Sequence, residues 1–265
     1  MYAIRRIALA AFLVLTIATP HAYAASTTNF SDQWWNANES GWGASFLQQG
    51  DIIFIDLFVY GADSKPTWFT APVYFQGTTA SGHLIFTGNL YATTGPYFGG
   101  AFNPAAVFEQ TVGTLTFDAS SVDTGTLTYT VDGVGVTKSI TRQLWKYEDF
   151  TGNYYGGVIY DLSQCANPAN NGHVEDLGTL SINHSANNTI TMAAQINASA
   201  CVFVATYSQA GHMGTMQGSY SCTNGITGSF TAYEMEKNIS GMTGRVNGQN
   251  NFCTFSGYFG GLLRQ

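Results

Sequence analysis

The chain has 265 residues, of which 14% are aromatic and only 9% charged, and its net charge is −7. With nine Lys and Arg against sixteen acids it has no electrostatic grip on phosphates, which excludes nucleic acid and anionic lipid headgroups as partners. The apolar content of 45% is too high for a disordered chain, so solubility rests on Thr, Ser, Asn and Gln around a packed core.

Residues 1–24 carry Arg5 and Arg6, an apolar run from Ile7 to about Thr19, and an Ala-x-Ala step at Ala22 and Ala24. That order predicts a secretory signal cleaved after Ala24, for a secreted or periplasmic protein. The apolar run is too short to span a bilayer core of about 30 Å. Cleavage removes two arginines and no acid, leaving sixteen acids against seven bases and a net charge of −9.

The stretch 34–43, WWNANESGWG, holds three tryptophans around one glutamate. An indole buries a large area and carries one N–H that needs a partner, so such a cluster is either a core plug or a binding face. From there on, segments of six to twelve residues rich in Thr, Val, Ile, Phe and Tyr end in Gly, Asn or Asp, and no window sustains a 3.6-residue period. This predicts antiparallel strands in series. In the first half the strands are expected at about 43–49, 52–60, 67–75, 83–93, 113–118, 125–131 and 135–145, with hairpin turns at Gly50-Asp51 and Asp132-Gly133. The segment 52–60 is apolar on both faces, with Ile53, Leu57 and Val59 on one side and Phe54, Phe58 and Tyr60 on the other, and is expected to be covered on both.

KYEDFT at 146–151 breaks the rhythm, which restarts with Gly152-Asn153-Tyr154-Tyr155. The pair Tyr154-Tyr155 echoes Trp34-Trp35, a hint of duplication. About eight strands follow, the size of an up-and-down barrel whose first and last strands can close the sheet. The fold class is therefore all-β, with a Trp-rich domain over 25–147, either barrel or sandwich, and an eight-stranded barrel over 148–265.

All four cysteines lie in the second half, and with an export signal an even count predicts two disulfides. Cys201 and Cys222 are equally distant from the turn near Gly211 and His212, and so face one another across a hairpin. Closure of the barrel brings Cys165 towards Cys253. Zinc is the competing reading, but no cysteine pair has the close spacing of a zinc knuckle, and neither metal nor cofactor is expected.

The motifs WWNANESGWG, QQGD, FVYGADSKPTWF, TGPYFG and GTLTYTVDGVGVTKSITRQ resemble a β-rich domain common in exported proteins of Gram-negative bacteria. FTGNYYGG, CANPANNG, YSQAGHMGTMQGSYSC, FTAYEMEKNISGMTGR and FSGYFGG are similar to a second module of the same proteins, so the resemblance spans nearly the whole exported chain. It implies an extracytoplasmic location and a β fold, and brings no catalytic residues.

Function is expected to be non-catalytic binding of a carbohydrate or small hydrophobic ligand through aromatic side chains. The candidates are Trp34, Trp35, Glu39, Trp42, Trp68, Arg142, Tyr154 and Tyr155. Two other readings stand beside it. One is a structural or surface-interaction protein of the cell envelope, with another envelope protein as partner. The other is a glycosidase-like hydrolase in which Glu39 is a raised-pKa acid and Asp51 or Asp56 the second carboxylate. Glu39 has structural alternatives too, as acceptor for a Trp N–H or partner of Arg142. Nucleophile-elbow, zinc-protease, EF-hand, Walker and dinucleotide motifs are all missing from the sequence. An outer-membrane barrel fits poorly, because Thr179, Ser181, Asn183, Gln217 and Ser219 interrupt the apolar face it needs.

Overall fold

The computed structural model describes residues 28–264; the expected signal segment lies outside them. Strands β1 Asp32–Trp35, β2 Gly43–Gln49, β3 Ile52–Tyr60, β4 Pro66–Thr78, β5 Leu84–Thr94, β6 Phe108–Ala119, β7 Thr124–Val131 and β8 Val134–Arg142 form a closed antiparallel barrel. Strands β9 Gly152–Ser163, β10 Gly172–His184, β11 Thr189–Ile196, β12 Ser199–Ala210, β13 Met213–Cys222, β14 Thr227–Lys237, β15 Gly241–Asn250 and β16 Thr254–Leu263 form a second. In each, neighbours in sequence are neighbours in the sheet, and closure falls between first and last strand: β1 pairs with β8, and β9 with β16.

The first domain is thus a barrel rather than a sandwich, with one strand more than the sequence pattern shows. The extra strand, β1, has only four residues, too few for alternation to register. What fixes it is Trp34, which sits opposite both Ala44 and Arg142 and points into the barrel. Strand β8 stops at Arg142 rather than at Trp145, because residues 143–151 leave the sheet to connect the barrels.

Period two places Ile53, Ile55 and Leu57 inside the first barrel, fully buried. Phe30, Trp34, Phe46, Phe86 and Phe117 fill its centre with rings 4.9–6.4 Å apart, mostly edge to face. The outer face of β3 departs from expectation: Phe54, Phe58 and Tyr60 are exposed, not covered. They join Leu47, Trp68 and Tyr74 in an apolar face over β2–β4, since Phe54 lies opposite Leu47 and Phe58 opposite Trp68.

Both barrels begin with the same device. The Trp34 indole donates to the Phe30 carbonyl at 3.0 Å, and the Tyr154 hydroxyl donates to the Phe150 carbonyl at 2.9 Å, each four residues back. In both, a phenylalanine just before the first strand is folded under the barrel by the next inward aromatic. The likeness between Trp34-Trp35 and Tyr154-Tyr155 therefore extends to Phe30 and Phe150.

The disulfides are Cys165–Cys253 and Cys201–Cys222. The second joins residues directly paired between β12 and β13; the first ties the loop after β9 to the start of β16.

The barrels meet at a charged joint. Asp32, nearly buried, accepts from the Arg142 guanidinium at 3.1 Å and from the His212 ring and backbone N–H at 2.7 and 3.0 Å. Arg142 also donates to the carbonyls of Val122, Asn29 and Ser31, and stacks 4.9 Å over the Trp34 ring. Gly211 makes the approach possible. Its φ is +57°, and a Cβ there would lie 2.0 Å from the Asp32 carboxylate.

Candidate functional site

The sequence-level candidates do not converge. Trp34 and Tyr154 are core residues whose polar atoms are already bonded, and neither presents a face for stacking. Arg142 is buried in the joint. Trp35 is half-buried on β1. Trp68, 52% exposed, lies on the outer apolar face of the first barrel, and Tyr155, 53% exposed, on the outside of the second.

Glu39 and Trp42 do come together: the indole N–H donates to the carboxylate at 2.9 Å, and Lys138, not Arg142, supplies the counter-charge at 2.7 Å. Lys138 lies 5.8 Å from the centre of the Trp42 ring. The Lys138 hydrogen bond, then that from Trp42, holds the Glu39 carboxyl below its ordinary value. That is opposite to what a general acid needs. Of the two proposed second carboxylates, Asp51 sits in the β2–β3 turn, and Asp56 faces outward on β3, its pKa raised by partial burial. Nothing joins either to Glu39 as a dyad.

The feature that sequence reasoning missed is inside the second barrel. Where the first barrel carries Phe and Trp, the inward positions here include Gly156, Gly178, Ala194, Ala232 and Gly261. Phe255 and Phe259 lie against the wall, over the glycines directly across the strand pair. A Cβ at Gly248 would sit 2.6 Å from the Phe255 ring, and one at Gly244 2.5 Å from that of Phe259. Small residues plus rings pressed flat leave a lumen of about 450 Å³.

Phe150, Tyr154, Met235 and Met242 close the end that faces the first barrel. Ile190, Met192, Phe203, Met216 and Phe230 wall the middle. At the other end the lumen reaches the rim formed by the turns around Asn197, Ser199, Asn224 and Asn250, beside the Cys201–Cys222 bridge. Below this rim, Tyr160 donates to Asp176 Oδ2 at 3.0 Å, and Asn197 donates to Oδ1 at 2.7 Å. Burial, and secondarily the Asp176 charge, pushes the Tyr160 phenol well above its ordinary range, so it stays a donor. Asn197 reaches Asp176 from the two-residue turn between β11 and β12, in which its φ is +51°. The available signal was parity: Val174, Asp176, Gly178, Leu180 and Ile182 alternate on the inward track of β10, and one of them is an acid.

Comparison with models of known protein families finds no match, and comparison with curated proteins finds none either.

Proposed function

We propose that the protein is a non-catalytic, exported binding protein that holds a small hydrophobic molecule in the lumen of the second barrel. The observation that carries this is a cavity of about 450 Å³ walled by apolar side chains, with its few polar groups gathered near one rim. Ligand sites combine those traits, with volumes of roughly 300–1,000 Å³ and a small set of polar groups that orient the guest. Of the two ligand types expected, the hydrophobic one gains support over a stacked sugar, because Trp34 and Tyr154 are committed to the cores. Two disulfides suit an oxidising compartment, in keeping with export to the periplasm or beyond.

Titration with N-phenyl-1-naphthylamine, a neutral probe that fluoresces in apolar surroundings, tests the reading. Saturable binding at one site is expected, and Ala194→Phe, which places a ring in the lumen, should weaken it at least roughly tenfold, by displacing the volume the probe needs. Absence of binding, or binding indifferent to Ala194→Phe in a folded variant, overturns the proposal.

A second reading, surface interaction with another envelope protein, is favoured by the exposed apolar face of Leu47, Phe54, Phe58, Trp68 and Tyr74. Exchange of Phe54, Phe58 and Trp68 for serine should then abolish capture of that partner and leave probe binding in the second barrel intact.

A further inference from the structure

An apolar tube accepts many tails; what it can discriminate is the head. Asp176 is the one charged side chain among the described residues that line the lumen, and no Lys, Arg or His joins it there. The rim beyond it offers neutral Asn197, Ser199, Asn224 and Asn250. Tyr160 and Asn197 take one bond on each carboxylate oxygen and fix its orientation, while an ionised carboxylate has about four acceptor sites, so acceptor capacity remains. An incoming carboxylate or phosphate would meet this acceptor with no cation to offset the repulsion. An incoming ammonium would make a charge-assisted hydrogen bond in a partly desolvated site.

We propose that the lumen selects amphiphiles with an apolar tail and a cationic, hydrogen-bond-donating head, and that Asp176 is the acceptor for that head. This rests on the lumen being the binding site, and its test separates the two. Dodecylamine, dodecanol and dodecanoate, each below its micellar concentration and at about neutral pH, are used to displace N-phenyl-1-naphthylamine from the full exported chain. A charge-assisted bond gives the amine an expected advantage of roughly tenfold or more over the acid, with the alcohol between them. Asp176→Asn should abolish that order. Glu175→Gln removes the same charge from the neighbouring position, whose side chain faces solvent, and should preserve the order, so that attraction to an acidic protein in general is excluded. Equal displacement by amine and acid, or a preference that survives Asp176→Asn, overturns the inference while the lumen reading stands. Failure of the neutral probe to bind overturns the lumen reading and this inference with it.

Discussion

Arg142 gives the joint between the barrels its geometry: a fully buried guanidinium with two carboxylates, Asp32 at 3.1 Å and Asp123 at 3.9 Å, three carbonyls and an indole face around it. Removing one member of a buried pair leaves the other charge uncompensated, at a cost of about 3–5 kcal/mol. Arg142→Met is therefore expected to lower unfolding free energy by about that amount in urea denaturation, and Arg142→Lys to restore little, since a single ammonium cannot reach the fork of acceptors. Next to it, His212 is held in its protonated form. Hydrogen bonds to Asp32, then to Glu236, raise its pKa from 6.5 to about 9. A proton held more tightly in the folded state stabilises it fully below about 6.5, and the contribution is lost as pH rises through about 9. Asp32 has the opposite sign: burial works to raise its carboxyl, but the His212 contacts outweigh burial and lower it. Its contribution is present above 3.8 and fades as pH falls through the folded value. Thermal midpoints should decline between pH 6.5 and 9 in the native protein, and His212→Gln should flatten that decline.

Among elements, the disulfides differ in the lengths of chain they close: 88 residues for Cys165–Cys253 and 21 for Cys201–Cys222. Loop-closure entropy assigns about 4.6 kcal/mol to the first and about 3.3 kcal/mol to the second. Replacing Cys165 and Cys253 by serine should accordingly cost roughly 1 kcal/mol more than replacing Cys201 and Cys222; equal midpoints of urea unfolding would place the stabilisation elsewhere. The hairpin bridge is legible in the sequence because a two-residue turn fixes register, and register puts Cys201 opposite Cys222. Strand β1 is not legible, because Asp32–Trp35 is held by what Trp34 plugs and by pairing with β8, more than a hundred positions later. Nor does alternation say what covers an outward face. That is why β3 reads as doubly buried, although Phe54, Phe58 and Tyr60 face outward and exposed.

Across the whole molecule, two barrels of equal strand number enclose different interiors, one filled by its own rings and the other hollow. Period two shows which residues point inward, but not the volume left after they pack; that depends on pairs such as Phe259 over Gly244, visible only once strands are matched. The fold is thus largely written in local pattern, and the Asp176 cluster joins neighbouring strands 16 and 21 positions apart, whereas the volume of the lumen depends on how whole strands pack and the Asp32–His212 joint on residues 180 positions apart. The hollow barrel opens away from the joint, so loosening the joint should leave the lumen undisturbed. Gln209 secures the connector between the barrels: its amide accepts from the Glu148 N–H at 2.8 Å and donates to the Lys146 carbonyl at 3.0 Å. Lys237 holds the Asp149 carbonyl from the other side. The Lys146 side chain itself is exposed, yet proteolysis needs the backbone to lift free of such contacts. Gln209→Ala is expected to speed tryptic cleavage after Lys146 by roughly tenfold, the loss of about one to two hydrogen bonds, with affinity for N-phenyl-1-naphthylamine unchanged. Cleavage at the native rate would mean that the Lys237 and Asp32–Arg142–His212 contacts restrain the connector without Gln209. A loss of probe affinity would mean that joint and lumen are coupled through Phe150, which stands at the end of the connector and the floor of the cavity.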